Sequence, residues 1–295
     1  MYGQPALAAP LNSLQATATV SASRPGSGLL IRAPDIAVQA SLADAAAHAL
    51  ALTAQLTLEH LHCAEPDAEI EIRSSIPIAS GLGSGAAVSA ALARALAGYL
   101  ARPLDPGELS SLVYEVEKIH HGTPSGIDNT VICYNMPVYF IKDREPETFR
   151  AACAFGLVIA DTGKPSPTRE AVRGVRSRWE ADRTTYERLF QHIGQIANQA
   201  RAAIEHGDLD RLGALMNENH SALRAMGVSS PELEKLISRA LSAGATGAKL
   251  SGGGQGGNMI ALVDVNDRQK LKAALKPFAR QVLYTEIGGP GRARR

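Results

Sequence analysis

In "IPIASGLGSGAA" (76–87), Gly81, Gly83 and Gly85 alternate with Leu82 and Ser84, and an alanine-rich run follows. Glycine inside an element costs roughly 0.5–1 kcal/mol relative to alanine, so three in five positions need a steric reason or a ligand. The preceding "AEIEIRSSI" (68–76) alternates apolar and polar residues, which predicts a half-buried strand. A strand, a glycine loop and a helix in that order offer backbone N–H groups and a helix N-terminus to an anion, with the Ser84 hydroxyl beside them. The competing reading is a tight turn against a close-packed helix of small residues. No Lys-Ser/Thr follows as in a Walker-type loop, and GxGxxG is absent.

A second loop, in "KLSGGGQGGNMI" (249–260), has five glycines in six positions between two segments that read as strands. A hairpin needs one or two, so the excess favours a ligand-facing loop. The third segment is "EVEKIHHGTPSGIDN" (115–129). Glu117 closes a predicted helix and Asp128 follows eleven residues later, too far to share a helix face. The turn between them can bring the carboxylates together, one to hold a cation and the other to accept a proton or face a substrate hydroxyl. Alternatively Asp128 caps the next element and Glu117 is a surface residue. His120 and His121 are adjacent, which is poor geometry for joint metal ligation, and read as packing or substrate-edge residues.

The elements that must position these groups read as mixed α/β. Strands are expected at 16–21, 29–34, 68–76, 130–141 and 155–161, with helices at 42–62, after the first glycine loop, and at 107–121. Long helices follow at 168–205 (interrupted), 208–225 and 230–242. The chain closes as strand 246–250, strand 258–263, helix 266–277 and strand 281–287. The last α-β-β-α-β run fits a ferredoxin-like layer of helices on an antiparallel sheet. A domain boundary is placed near 153, giving domains 1–153 and 154–295.

Composition narrows the classes. A chain of 295 residues with 45% hydrophobic and 20% charged residues is ample for two globular domains. Lys+Arg of 30 against Asp+Glu of 29 leaves no field favouring nucleic acid or anionic membrane. The basic "GRARR" end reads as a solvated tail. Aromatics at 4% argue against single-strand stacking platforms. Cys63, Cys133 and Cys153 lack CxxC pairing, which points away from disulfides or zinc and towards a cytoplasmic protein. The richest apolar run, 86–101, is broken by Arg94, so no membrane span is expected. The first 23 residues carry no Lys or Arg, so no secretory leader is expected.

Together, "PIASGLGSGAA", "HHGTPSGID" and "KLSGGGQGGNMIALV" resemble, in order, the second motif, catalytic loop and third motif of the GHMP kinases, and within them those acting on mevalonate. "DTGKPSPTREAV" (161–172) is similar to the threonine-containing substrate-side segment of that group, and the likeness runs from "YGQPALAAPL" (2–11) to the last strand. The resemblance implies a two-domain GHMP kinase fold of α/β (α+β) class, with an N-terminal domain of the ribosomal-protein type and a ferredoxin-like C-terminal domain. It implies ATP-dependent phosphorylation of the mevalonate C5 hydroxyl, with Mg²⁺, in isoprenoid precursor synthesis, and suggests a homodimer. Ala79, Ser80, Gly81, Leu82, Gly83, Ser84, Gly85 and Ala86 would wrap the ATP phosphates, and Gly252, Gly253 and Gly254 would close over them. Glu117 and Ser84 would hold the metal, Asp128 would face the attacking hydroxyl, and His121, Ser125, Thr168 and Gly253 would line the substrate. Another acceptor, phosphomevalonate or a sugar, is the alternative within the fold. Phosphomevalonate would call for more basic residues than Lys118, Lys164 and Arg169.

Two departures from the family pattern stand out. The usual GLGSS ends here in Gly85, leaving Ser84, or water with Glu117, to complete a metal shell. Members also usually begin with a strand ending in Pro-Gly-Lys and then Gly-Glu-His-Ala-Val before the YGxPA stretch, whereas this sequence starts "MYGQPALAAPL". One reading is a GTG valine codon taken as the start, with a PGKxxLxGEH-like segment in frame upstream. The other is a nucleotide- or metabolite-binding homologue without catalysis. A cation beside Asp128 and the transferring phosphoryl group is worth ~3–4 kcal/mol of barrier. The 295-residue form is therefore expected to turn over at least ~100-fold slower than one carrying such a segment. Comparing kcat/KM of the two at saturating Mg²⁺ checks this, and equal values would mean that another group replaces the lysine.

Overall fold

A computed structural model of the chain describes residues 2–77, 81–121, 124–166 and 168–288, without the side chains of His120 and His121. In chain order the elements are β1 (Ala6–Ala8), β2 (Ala16–Ala22), β3 (Leu29–Ala33), β4 (Val38–Ser41), α1 (Ala49–Leu61), β5 (Ala68–Ser74), α2 (Ser84–Tyr99), α3 (Pro106–His121), α4 (Ile127–Tyr134), β6 (Val138–Phe140), β7 (Glu147–Thr148) and β8 (Phe155–Asp161). They continue with α5 (Thr168–Ala181), α6 (Arg183–His206), α7 (Leu209–Ala225), α8 (Pro231–Ser242), β9 (Gly247–Ser251), β10 (Asn258–Val263), α9 (Arg268–Leu275) and β11 (Gln281–Ile287). Two compact units result. The smaller joins Leu14–Ile78 with Leu82–Met136, and the larger joins Met1–Ser13, Ala79–Gly81 and Pro137–Arg295.

The smaller unit is a one-sided sheet covered by helices. Its strand order is β2-β5-β3-β4, with β5 antiparallel to β2 and parallel to β3. Alternation in β5 sends Ala68, Ile70 and Ile72 into a core with Leu29, Ile31, Leu50, Leu58, Leu92 and Leu96. The opposite face carries Arg32, paired with Glu69, and Arg73, paired with Glu71 and Asp35. These pairs are largely exposed and contribute little individually.

The small residues of α2 serve packing. Ala86, Ala90 and Ala93 are fully buried at helical spacing and meet Leu109, Leu112, Val113 and Val116 of α3, themselves spaced i, i+3, i+4 and i+7. Arg94, which interrupts the apolar run, donates from Nη2 to the carbonyl oxygens of Cys133 (2.6 Å) and Ile132 (3.4 Å) at the end of α4. It thereby satisfies terminal carbonyls and opposes the helix dipole. Burial pushes the Cys133 thiol up to about 12. Among the described residues no helix is long and apolar enough to cross a membrane.

The larger unit centres on an antiparallel sheet of order β11-β8-β10-β9. Val158, Ala160, Met259 and Ala261 pack on one face against Leu233, Leu236, Ile237, Leu271 and Leu275 of α8 and α9. Phe155 and Leu262 pack on the other against Ile196, Ala200, Leu212, Leu215 and Met216 of α6 and α7. The α8-β9-β10-α9-β11 run thus matches the expected ferredoxin-like layer, and a second helical layer covers the reverse face. Edge strand β9 is closed by α7: Asn217 Oδ1 accepts the Ala248 N–H at 2.9 Å, which blunts an otherwise open edge.

Two expected elements differ. The expected helix 42–62 begins only at Ala49. Asp44 accepts from the Ser41 N–H (2.7 Å) and hydroxyl (3.0 Å), and extended His48 caps α1 by accepting the Leu50 N–H. Such local side-chain bonds compete with helix. The expected strand 130–141 is instead α4 followed by the short β6. Gly126, at φ 88°, starts α4, the Thr130 hydroxyl donates to the Gly126 carbonyl at 2.6 Å, and Arg94 closes its end. Packing against α2 and α3 overrides the β-branched character of the segment.

Replacing Ala90 by Leu forces extra methylenes into the α2–α3 contact, so a loss of ~1–3 kcal/mol is expected. Urea denaturation reads it as a lower midpoint with unchanged slope; an unaltered midpoint would mean the interface is not close-packed.

Candidate active site

In the smaller unit, Leu82, Gly83, Ser84 and Gly85 lead into and open α2. Gly83 is the N-cap of α2 at φ 70°, and Ser84 is its first helical residue, followed by exposed Gly85 and buried Ala86. The φ is one that glycine adopts freely and other residues adopt at a cost. Space matters as much: a Cβ at Gly83 would lie 3.0 Å from Ile132 Cδ1, 3.7 Å from Asp128 Cβ and 3.8 Å from Asp128 Cγ. Asp128 therefore stands against the start of α2. Its carboxylate is exposed and sits in the first turn of α4, where the helix dipole favours an anion. The capping position itself is Gly126.

Glu117 is half-buried near the end of α3, and α3 and α4 are joined by residues 122–126. Both carboxylates thus fall at the same end of this helix pair. The pair is locked by Asn129, whose Nδ2 donates to Ser110 Oγ at 2.9 Å and to the Ser110 carbonyl at 3.1 Å. Lys118 is engaged by Glu115 at 2.8 Å, which raises its pKa. Ser125 Oγ accepts the Ile127 N–H at 3.4 Å. Among the described residues no group of three or more His, Cys, Asp or Glu could hold an ion unaided. A Mg²⁺ ion suits this donor set as one that keeps its waters and takes one carboxylate plus nucleotide phosphates. Ala79, Ser80 and the His121 side chain lie outside the described residues.

In the larger unit, the second glycine loop joins β9 to β10. Gly252, Gly254 and Gly257 have φ of 82°, 76° and 70°. A Cβ at Gly254 would strike the Val228 carbonyl, and one at Gly256 the Pro165 carbonyl. The Gln255 N–H donates to Val228 O (2.7 Å) and the Gly257 N–H to Lys164 O (3.0 Å). Thr168 opens α5, and a Cβ at Gly253 would lie 2.9 Å from its Oγ1. Gly81, also of this unit, faces Asn258, whose Nδ2 is 3.7 Å from a Cβ built there.

Several of these groups were missed by pattern reading. Thr162, Ser166 and Val228 hold the loop, and the Lys249 Nζ donates to the Leu250 carbonyl at 2.7 Å, with burial lowering its pKa to about 8. The connection carrying Val228 is flanked by His220 of α7 and Glu234 of α8, 3.0 Å apart. Burial lowers the His220 pKa, with Glu234 opposing. Spacing alone carries no signal for such contacts, although "DTGKPSPT" beside a glycine loop hints at hydroxyl clamps.

The family model for the N-terminal domain of GHMP kinases matches residues 41–135, and that for the GHMP kinase C-terminal domain matches 200–280. The chain belongs to the GHMP kinases, and its fold is the two-domain fold of that family. Among curated relatives, a mevalonate kinase of Pyrococcus horikoshii is 34% identical over 76% of this chain and 67% of its own length. One of Methanothermobacter thermautotrophicus is 33% identical over 88% and 84%. The solved structure of L. major mevalonate kinase in complex with R-mevalonate superposes with a TM-score of 0.84 at 28% identity, covering 99% of this chain and 91% of that one.

Gly83→Val places a branched side chain against Ile132 and Asp128 at a φ it disfavours. Nucleotide affinity is expected to fall more than thermal stability. Titration with ATP·Mg²⁺ alongside a melting curve checks this, and unchanged binding in a folded variant would reduce the loop to a turn.

Proposed function

We propose that this chain transfers the γ-phosphoryl group of ATP to the C5 hydroxyl of mevalonate, releasing ADP. What supports the reading most is the position of Asp128 against Gly83 at the N-terminus of α2, in a chain whose relatives of 30–36% identity include many mevalonate kinases. In this reading the backbone N–H groups of 81–85 and the α2 dipole receive the nucleotide phosphates, and Gly252, Gly253 and Gly254 cover them. Glu117 and Ser84 would hold Mg²⁺, which would supply neutralisation of phosphate charge. Asp128 orients the acceptor hydroxyl and takes its proton as the oxygen attacks. Ser125, His121 and Thr168 line the acceptor. Phosphoryl transfer depends chiefly on positioning and charge neutralisation, so these groups carry the step, at the reduced rate expected without the lysine.

The test is an ADP-release assay offering mevalonate, phosphomevalonate and galactose in parallel, with the product's phosphate position read by NMR. Turnover is expected to be highest with mevalonate, and a preference for either other acceptor would overturn the assignment. Asp128→Asn is expected to lower kcat by a factor on the order of 10²–10⁴ while ATP affinity stays within a few-fold. Near-normal turnover would remove Asp128 from this role.

A further inference from the structure

We infer that Ser166 is a positioning residue that couples the acceptor-side threonine to the second glycine loop. Ser166 lies between β8 and α5, and its Oγ donates to the Gly254 carbonyl at 2.7 Å. Its own carbonyl accepts the Thr168 N–H at 2.8 Å and the Thr168 hydroxyl at 3.4 Å. One residue therefore holds Thr168 on one side and the loop on the other, at the place where Thr168 Oγ1 packs on Gly253.

The reason a clamp is required lies in the glycines. A run of residues without Cβ has no side-chain packing to choose among its backbone conformations, so its order has to be imposed by outside partners. The peptide joining Gly254 to Gln255 is gripped at both polar ends, its C=O by Ser166 and its N–H by Val228. A planar peptide held at both ends cannot swivel about its Cα–Cα axis. Downstream, the Gly257 carbonyl accepts from both the Thr162 N–H and the Thr162 hydroxyl at 2.9 Å, and the Gly257 N–H donates to Lys164. The 254–257 part of the loop is thereby anchored inward, with Gly254 itself buried, which leaves Gly252 and Gly253 as the part presented to a ligand. Thr162 holds the far end of that anchored part, at Gly257. Ser166 holds Thr168 and Gly254, the residue next to the presented part, together.

The kinetic consequence rests on the phosphoryl-transfer reading; the structural one does not. Losing one hydrogen bond of ordinary strength makes local opening roughly threefold to tenfold more frequent. In Ser166→Ala, amide hydrogen exchange of the peptide covering 252–257 is expected to speed up by that factor, measured on the full chain without ligand. KM for ATP and for the acceptor is expected to rise together by a similar factor while kcat changes less, with melting temperature within a few degrees of the parent. Ser166→Thr, which keeps the hydroxyl, is expected to restore both. Unchanged exchange overturns the clamp, and faster exchange with unchanged KM values overturns its coupling role. If the parent chain phosphorylates none of the acceptors yet Ser166→Ala speeds exchange, the kinase reading falls and the clamp stands. Should Ser166→Ala fail to melt cooperatively, Ser166→Cys, similar in size and a weaker donor, decides by the same measurements.

Discussion

The start of α2 depends on a glycine at position 83, whose φ of 70° other residues adopt only at a cost. A Cβ there would lie 3.0 Å from Ile132 Cδ1 and 3.7 Å from Asp128 Cβ, so the start of α2 and the first turn of α4 lie close together. That closeness is the end result of small residues elsewhere. The buried alanines of α2 let α3 approach, Asn129 pins α4 to α3 through Ser110, and Arg94 of α2 closes the far end of α4. A carboxylate in the first turn of α4 stays close to the start of α2 only if something holds the two helices together. Here the holding force is van der Waals packing of methyl-sized groups at native density, supported by a few buried hydrogen bonds. Glycine and alanine thus have separate roles in one stretch, the first admitting a ligand or neighbour and the second admitting a helix.

The larger unit solves a different problem by different means. Its loop of five glycines has no side chains to pack, and order comes from carbonyl and hydroxyl partners contributed by residues 162–166 and by Val228. The sheet beneath it is rigid because both faces are covered by helices. Even its edge strand β9 is sealed, with Gly213 and Gly247 touching backbone to backbone and Asn217 bonding to Ala248. Lys249, immediately ahead of the loop on β9, adds a cation whose charge burial has made easier to lose.

Electrostatics in both units is local. With a net charge of +1, the chain has no strong global field, so helix N-termini and oriented peptide groups dominate its local fields. The ion pairs on the sheet surface of the smaller unit are exposed and screened. The groups that matter are those whose surroundings are dry or crowded: Cys133 and Lys249, each shifted by burial, and His220 beside Glu234.

The strand, glycine loop and helix at 68–99, the helix at 106–121 and the closing α8-β9-β10-α9-β11 order were legible in the sequence. Each rests on a short-range signal, period-two alternation, 3.6-residue spacing or a glycine break, that acts between near neighbours in the chain. The three motifs and their order were legible for the same reason, since each is a short glycine-rich stretch of near neighbours. Where α1 starts, that 127–134 is a helix, and which hydroxyls grip the second loop were not. Those outcomes turn on contacts between residues far apart in the chain: Arg94 with Cys133, Asn129 with Ser110, Ser166 with Gly254. Local propensity for such segments differs by less than about 1 kcal/mol between helix and strand, so one buried contact or one capping guanidinium decides. The residue types able to do the chemistry were a property of the sequence. Only the tertiary structure set Asp128 against Gly83 and tied Thr168 to Gly254 through Ser166, because only packing brings residues so distant in sequence within a hydrogen bond of one another.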